Sequence, residues 1–362
     1  MGQRKPSDDF QRPTDCVNSI RLPHLSTGGT PGDIGRALGR HAREAIHACV
    51  GQHLSAELRR WAGTTRLAAI VAAGRSQFPE AYVELEALAE GAEFDFTDLL
   101  LFNCAGDLPL QGRVVDSGCT TIMLPGDPAS ASAALVLHNE DASVAAPVPW
   151  FIARLEPSGR PSFTSFCYAG KLPGTAFSVT SRGLVQTIND VRPVDLPVGV
   201  PRAFLARAVL GCEDSRRARS LIKATSGAGS YHHAIAWAGD GSLHSIEGAG
   251  VQSIVREVVQ PMAHANHFLY PPLSGLPQVI VGGSLDRQTF AQEQLADARA
   301  SRLSVLRARD ARGRTLYQVA SPQNGWHKTL ATAEFEVHVG YLSWCCVADG
   351  EEELLADQIL LA

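Results

Sequence analysis

The stretch Asp116-Ser117-Gly118-Cys119-Thr120-Thr121 lies where the chain changes from a helical half to a β half. Ahead of it, apolar residues recur every four positions from Ile34 to Leu58, as they do along one side of a helix. Behind it, runs rich in β-branched and apolar residues alternate with turn residues, beginning at 120–124 and 134–138. The sequence therefore predicts an α+β fold with helices first and antiparallel strands, interrupted by two helical insertions, afterwards. A four-layer αββα sandwich fits this order.

The same change of pattern divides the chain into three segments. Residues 1–30 are polar and rich in Pro, Gly and Thr, which predicts a flexible leader. Residues 31–118 form a helical N-terminal part, and residues 119–362 form the β-rich part. The glycines Gly32, Gly35 and Gly39 do not have the spacing of a nucleotide-binding loop, so close packing of helices is the better interpretation.

Composition excludes several classes of function. The 362 residues are 45% hydrophobic and 19% charged, and the formal net charge is −5. This balance is typical of a globular protein and predicts neither a nucleic-acid partner nor an anionic membrane surface. No apolar run approaches the roughly 18–20 residues that span a bilayer. The first residues lack the apolar core of a secretory signal, so we expect a cytoplasmic protein.

The chemistry-bearing residues give no sign of a metal or cofactor site. The eight cysteines include no Cys-x-x-Cys pair, which argues against a zinc knuckle or a thioredoxin-like motif. His232 and His233 are adjacent on a predicted strand, so their side chains point to opposite faces and do not easily share an ion. No nucleotide, flavin or nicotinamide fingerprint is present. We therefore expect no metal and no cofactor.

Gly118 and Cys119 suggest a different kind of chemistry. Glycine allows backbone angles that other residues avoid, and such a bend exposes its carbonyl carbon to the Cys119 thiol. An N-to-S acyl shift and hydrolysis of the thioester would make Cys119 a new N-terminus. Its α-amine, with a reference pKa of roughly 7.7–8.0, could then accept the proton of the thiol.

Three later segments offer partners for this nucleophile. Asn139 and Asp141 end the strand after Cys119, where Asp141 can bind the α-ammonium group and Asn139 can orient a substrate. Asn266 follows a strand and offers an amide donor suited to an oxyanion hole. Arg287 opens a helix and can stabilise a thiolate or hold Asp141. Each also has an ordinary structural interpretation, as a turn residue, a strand-end cap and a surface helix residue.

Taken together, the segments resemble the isopenicillin N acyltransferase family of N-terminal-nucleophile proteins. This family is related more distantly to conjugated bile salt hydrolase and penicillin V acylase. It extends from about Gly32 to about Val347. It rests on the Gly-rich opening helix, the Ala89–Asn103 stretch and four ordered motifs, which are Asp-Ser-Gly-Cys-Thr-Thr, Asn-x-Asp at 139–141, His-x-Asn-His at 264–267 and Ser-x-x-Arg at 284–287.

The resemblance implies an αββα fold with a helical prodomain and self-cleavage between Gly118 and Cys119, after which both chains stay together. It assigns Cys119 as the nucleophile, Asp141 as its electrostatic partner, Asn266 as the oxyanion donor and Arg287 as a supporting residue. Asn189 and His138 join Asn139 as expected substrate-binding residues. His138 and Glu140 depart from the fungal relatives, so the penicillin substrate is not transferred to this chain.

The leading hypothesis is a self-cleaving cysteine amide hydrolase or acyltransferase that acts on a small amide or acyl thioester through an acyl-Cys119 intermediate. A second hypothesis is an uncleaved binding or accessory protein on the same scaffold. A third is an uncut cysteine hydrolase that uses a histidine such as His138 as its base. The sequence leaves open the acyl donor and acceptor and whether the chain forms a homo-oligomer.

Overall fold

The computed structural model describes residues 21–54, 56–109, 117–127, 132–144, 147–280, 283–321, 327–348 and 352–361. Two β-sheets with apolar residues on both faces organise these residues into layers. One core cluster lies between the sheets, and each outer sheet face packs against helices. The α+β fold and the four-layer αββα order predicted from the sequence are confirmed.

The first sheet, sheet A, has eight strands in the spatial order β1-β4-β5-β6-β7-β8-β9-β10. Strand β1 pairs with β4 in parallel, and the other neighbours pair antiparallel. Its strands are β1 (Leu25–Gly29), β4 (Trp150–Pro157), β5 (Phe163–Tyr168), β6 (Phe177–Thr180), β7 (Leu184–Val191), β8 (Ser230–Trp237), β9 (Ser242–Ala249) and β10 (Gln252–Glu257).

The second sheet, sheet B, carries the Gly118–Cys119 segment and has six strands in the order β11-β2-β3-β12-β13-β14. All of its pairs are antiparallel. Its strands are β2 (Ser117–Leu124), β3 (Ala134–Ser143), β11 (Met262–His264), β12 (His327–His338), β13 (Tyr341–Ala348) and β14 (Glu352–Leu360).

Helices cover the two outer faces unequally. Eight of them share a core cluster with sheet A: α1 (Pro31–His41), α2 (Arg43–His53), α3 (Ala56–Arg59), α4 (Thr65–Gln77), α5 (Pro79–Ala92), α6 (Phe96–Asn103), α7 (Arg202–Val209) and α8 (Ser215–Ala224). The outer face of sheet B packs on α9 (Ser284–Glu293), α10 (Ala298–Ser301) and the 3-10 helix η3 (Arg302–Arg307). Two further 3-10 turns are η1 (Ala105–Asp107) and η2 (Leu273–Gly275). No helix among the described residues has both the length and the apolar character needed to cross a bilayer.

The apolar stripe that begins at Ile34 is buried throughout, as predicted, but three helices carry it instead of one. The first break is at Ala42, whose φ of −102° and ψ of 11° end α1. The predicted leader also differs, because its residues 25–29 form strand β1 beside β4. Residues 1–20 of that leader lie outside the described residues. The N-terminal helices therefore form one layer of the sandwich together with α7 and α8.

Glycines bring α1 and α5 into close contact, which confirms the packing interpretation for Gly35 and Gly39. A Cβ on Gly35 would lie 2.1 Å from Glu84 O, and one on Gly39 would lie 2.2 Å from Leu88 O. Both distances are shorter than real side chains allow. The two helices can therefore approach this closely only because these positions carry no side chain.

Gly39→Ala is expected to destabilise the protein by about 2 kcal/mol or more, since its methyl group overlaps the α5 backbone. Gly51→Ala is the matched control. That glycine also lies inside a helix, but a Cβ there meets no atom within 4 Å, so its greater helix propensity should leave stability unchanged or raise it by up to about 1 kcal/mol. Urea unfolding measures both variants, and equal stabilities would contradict the packing argument.

Candidate functional site

The pairing of β2 with β3 places two sets of residues on opposite faces of sheet B. Cys119 lies opposite Glu140, and Gly118 lies opposite Asp141. Side chains of successive strand residues alternate between faces. The Cys119 and Glu140 side chains therefore enter the layer between the sheets, whereas Gly118 and Asp141 face the layer that contains α9.

On the inner face, the Cys119 thiol belongs to a buried polar group. Cys119 Sγ donates to Glu140 Oε2 at 3.4 Å, and the same oxygen lies 3.1 Å from His138 Nε2. The other carboxylate oxygen, Oε1, accepts from the Tyr168 hydroxyl at 2.6 Å. Cys119 is only 4% exposed, and Glu140 and His138 are buried as well. Both sheets therefore contribute hydrogen-bonding groups around the thiol.

A chain of hydrogen bonds determines which nitrogen of His138 carries a proton. The Asn189 amide nitrogen donates to His264 O at 3.1 Å, so its oxygen accepts the Thr121 hydroxyl at 2.8 Å. Because Thr121 has used its only proton, it accepts from His138 Nδ1 at 2.9 Å. His138 Nδ1 therefore carries a proton, and Nε2 faces Glu140 Oε2.

On the outer side, the peptide of Cys119 is held by groups from two later segments. Its N–H donates to Asn266 Oδ1 at 2.9 Å. Arg287 donates to the Cys119 carbonyl at 2.6 Å, to Thr120 Oγ1 at 2.8 Å and to Asn266 Oδ1 at 2.7 Å. The Asn266 amide nitrogen donates instead to Asp190 O at 3.1 Å. Asn266 thus presents an acceptor to Cys119, and its amide donor is engaged elsewhere.

Asp141 is buried beside this peptide with one oxygen paired and one unpaired. Oδ1 accepts from Thr329 Oγ1 at 2.6 Å, whereas Oδ2 has no hydrogen-bond partner. Oδ2 lies 3.4 Å from the position that a Cβ on Gly118 would occupy, and Arg287 Nη2 lies 3.1 Å from it. Asp141 therefore faces the cleavage position expected from the sequence, but it lies on the opposite side of the sheet from the thiol.

Gly118 itself does not have the unusual backbone that we expected. It lies within strand β2, and its φ is not among the positive ones. The space beside it gives another reason for a glycine. A Cβ there would lie in a tight contact of 3.1 Å with Arg287 Nη2 and in ordinary contact with Asp141 Oδ2.

The structure brings together most of the residues selected from the sequence, and Asn139 is the exception. Its side chain shares the outer face with Asp141 and is occupied there, donating to Leu306 O and Leu316 O and accepting from Thr332. It does not reach the thiol. Glu140, Tyr168 and Thr121 were not selected as site residues. Strand alternation alone could have indicated Glu140, whereas Tyr168 comes from the other sheet.

Burial sets the ionisation of the site. It raises the pKa of the Cys119 thiol well above its usual range, and the Glu140 and Asp141 carboxylates raise it further. Burial also raises the pKa of Asp141 to about 6, although the Arg287 charge opposes this shift. The raised pKa of Cys119 therefore favours the neutral thiol over the thiolate.

Among the residues that the structure describes, one group of side chains has three donor atoms close enough to share a metal ion. These are Cys119, His138 and Glu140, whose donor atoms lie within 4.8 Å of one another. The histidine pair at 232 and 233 is divided between the two faces of β8, as predicted. His232 bonds to Asn189 on one face and His233 to Gln186 on the other.

Two partly buried ion pairs support the strand next to the site. Asp190 follows Asn189 on β7, and its carboxylate binds Arg192 Nε at 2.7 Å and also the Arg202 guanidinium. Burial alone raises the pKa of Asp190, but the charges of Arg192 and Arg202 outweigh it and hold that pKa well below its usual range. Since the Asp190 carbonyl also binds Asn266, these two ion pairs help to position the outer side of the site.

Comparison with known proteins identifies relatives of the chain. A family model described as acyl-coenzyme A:6-aminopenicillanic acid acyl-transferase matches residues 129–351, a range that begins after Cys119. The beta-alanyl-dopamine/carcinine hydrolase of Drosophila melanogaster is 31% identical over 166 residues, or 41% of this chain and 42% of that protein. The matched region thus spans less than half the length of this curated relative.

Two solved structures are also similar. A mutant conjugated bile acid hydrolase from Clostridium perfringens aligns with a TM-score of 0.40 and 9% identity over 67% of this chain and 92% of its own. Penicillin V acylase from Agrobacterium tumefaciens aligns with a TM-score of 0.37 and 14% identity over 66% of this chain and 84% of its own.

Asp190→Asn is expected to cost about 3–5 kcal/mol of stability at pH 7, because it leaves two partly buried arginines without their carboxylate. The folded pKa lies below the unfolded value of about 3.9, so this contribution is present above that pH and is lost as the pH falls. The difference from wild type should therefore narrow by roughly 1 kcal/mol between pH 7 and pH 3. Urea unfolding at both pH values measures it. The control, Asp195→Asn, changes an exposed residue in the following loop. A stability difference between wild type and Asp190→Asn that is larger at pH 3 than at pH 7 would contradict this account.

Proposed function

The chain belongs to the acyl-coenzyme A:6-aminopenicillanic acid acyl-transferase family, as expected from its sequence, and from this premise we propose that it is a self-cleaving cysteine amide hydrolase or acyltransferase. One observation carries the proposal. The two reacting atoms of Cys119 have separate partners, since Glu140 accepts from the thiol and Asn266 accepts from the peptide N–H.

The proposed cleavage proceeds in two steps, an N-to-S acyl shift and hydrolysis of the resulting thioester. The thiol gives its proton to Glu140 as sulfur attacks the Gly118 carbonyl carbon. The carbon–nitrogen bond then breaks, and the Cys119 nitrogen takes up the proton that Glu140 accepted, which leaves a thioester and a free amine. Water hydrolyses the thioester to a Gly118 carboxylate and restores the thiol. Glu140 lies 3.4 Å from Sγ, within reach of the first proton transfer.

The groups on the outer side suit the amine that this cleavage would release. Asn266 Oδ1 already accepts from the Cys119 nitrogen. Asp141 Oδ2 is a buried acceptor that has no hydrogen-bond donor. Asp141 pairs with Gly118, directly next to the pair formed by Cys119 and Glu140. A new ammonium group at Cys119 would supply that donor, which is the role that the sequence suggested for Asp141. Arg287 would remain bonded to the Cys119 carbonyl.

The N-terminal part should remain attached after cleavage. Its helices share a buried apolar core with sheet A, including Leu85 and Leu88 of α5 with Phe204 of α7. The Glu84 carboxylate also binds Arg207 Nη2 at 2.7 Å, and both groups are largely buried. Cutting one peptide bond removes none of these contacts.

The proposed substrates are small amides or acyl thioesters. Cys119 would take the acyl group and release the amine or thiol, after which water or another amine would accept the acyl group. The Drosophila relative is named as a hydrolase of β-alanyl-dopamine and carcinine. These two compounds are therefore suitable first substrates, and added amines would distinguish transfer from hydrolysis.

The thiol, imidazole and carboxylate on the inner face favour one further candidate, a cysteine hydrolase that works without cleavage. In that case Glu140 and His138 would accept the thiol proton directly, which is the role that the sequence suggested for a histidine base. An uncleaved accessory protein would use neither reaction.

Freshly purified wild-type protein should give two chains in a denaturing intact-mass measurement, residues 1–118 and 119–362. Cys119→Ala should remain a single 38.6 kDa chain without amidase activity, because it lacks the attacking sulfur. Cys167→Ala is the matched control, since it removes another buried thiol, on β5. A single wild-type chain labelled at Cys119 by a thiol-reactive substrate analogue would favour the uncut hydrolase, and an unlabelled one the accessory protein.

Arg287→Lys should slow the cleavage at least tenfold. A lysine keeps the charge but cannot bond simultaneously to the Cys119 carbonyl, Thr120 and Asn266. Arg299→Lys is the control, because Arg299 also donates to backbone carbonyls in the outer layer but away from Cys119. Mass spectrometry over time compares the two. Equal cleavage rates in both variants would rule out a role in cleavage for the three hydrogen bonds of the Arg287 guanidinium.

A further inference from the structure

The group around the thiol has a second chemical capacity. Thiolate sulfur, imidazole nitrogen and carboxylate oxygen are the ligands that zinc uses in proteins, and open zinc sites have three protein ligands and one free position. Cys119, His138 and Glu140 supply one donor of each kind. All three residues are nearly inaccessible to solvent.

The distances between these donors suit a tetrahedral ion. With bonds of about 2.0–2.3 Å, two ligands of tetrahedral zinc lie about 3.3–3.6 Å apart. Cys119 Sγ and Glu140 Oε2 are 3.4 Å apart, and Glu140 Oε2 and His138 Nε2 are 3.1 Å apart. The remaining pair lies within 4.8 Å. Two of the three donor pairs are therefore separated by about the distance found between ligands of a tetrahedral ion.

Neighbouring residues already orient the donors. Tyr168 occupies Oε1 of Glu140, which leaves Oε2 facing the sulfur and the ring. Thr121 accepts from His138 Nδ1, so Nε2 can present its lone pair toward Oε2. Hydrogen bonds of this kind to ligand side chains fix their orientation in metal sites.

The charge balance also suits a divalent ion. Binding would displace the proton of the Cys119 thiol, because zinc binds the thiolate. The thiolate and the ionised carboxylate would carry two negative charges, which match the charge of the ion. No isolated charge has to be buried, which is the usual obstacle to such an exchange.

We propose that Cys119, His138 and Glu140 form a Zn²⁺ site, and that zinc bound there occupies the sulfur lone pair and blocks the nucleophile. The binding step does not depend on the proposed function, because all three donors are present in the chain as it stands. The blocking step rests on that function, since it requires Cys119 to be the attacking group.

Co²⁺ is a suitable probe, because it accepts the same ligands and gives a near-ultraviolet sulfur-to-cobalt charge-transfer band when a thiolate binds it. Reduced, metal-free wild-type protein should develop this band to saturation at one Co²⁺ per chain, and Zn²⁺ should abolish it. Cys119→Ala should lose the band, and His138→Gln and Glu140→Gln should bind Co²⁺ at least tenfold more weakly. Cys167→Ala, which lacks a different buried thiol, should keep it.

Absence of the band in folded wild-type protein, or its persistence in Cys119→Ala, would overturn the site. Intact mass measured on the same samples separates this result from the proposed function. If the protein is never cleaved but shows the band, the proposed zinc site stands and the proposed self-cleavage is wrong. A protein that is cleaved equally fast with saturating Zn²⁺ as with a chelator would overturn the blocking step.

Discussion

Alternation of side chains along paired strands β2 and β3 is the constraint on which the site depends. Their register sets Cys119 against Glu140 and Gly118 against Asp141, so the thiol and the peptide next to it receive partners from opposite faces of one sheet. A shift of one residue in this pairing would exchange the faces. The thiol would then enter the apolar layer beneath α9, which contains Ile122 and Leu137, and would lose its hydrogen-bonding partners.

The inner group also depends on the distance between the two sheets. Tyr168 and Asn189 come from sheet A, whereas Glu140 and Thr121 come from sheet B, and their hydrogen bonds cross the gap. Apolar residues set this gap, including Phe177 of sheet A, whose ring lies 6.2 Å from that of Phe335 in sheet B. Hydrogen bonds weaken steeply with poor geometry. The packing of the apolar residues between the sheets therefore controls the geometry of the hydrogen bonds around the thiol.

The sequence predicted the layers well because each layer has its own hydrophobic period. It also selected Cys119, Asp141, Asn266 and Arg287, which the structure places around one peptide. It did not anticipate that Asn139 would face away, although the two-residue period implies it. Contacts between sheets, such as that of Tyr168 with Glu140, could not be predicted, because no local pattern encodes which strands face each other across a core.

The unpaired oxygen of Asp141 bears on the direction of the proposed cleavage. A buried acceptor without a donor costs about 1–3 kcal/mol, and the uncut chain carries this cost beside Gly118. Cleavage would create an ammonium group on the adjacent residue, and a hydrogen bond from a charged donor is stronger than one from a neutral donor. The unpaired oxygen would therefore destabilise the intact chain and stabilise the product, so under the proposed function Asp141 would favour cleavage as well as support the later chemistry.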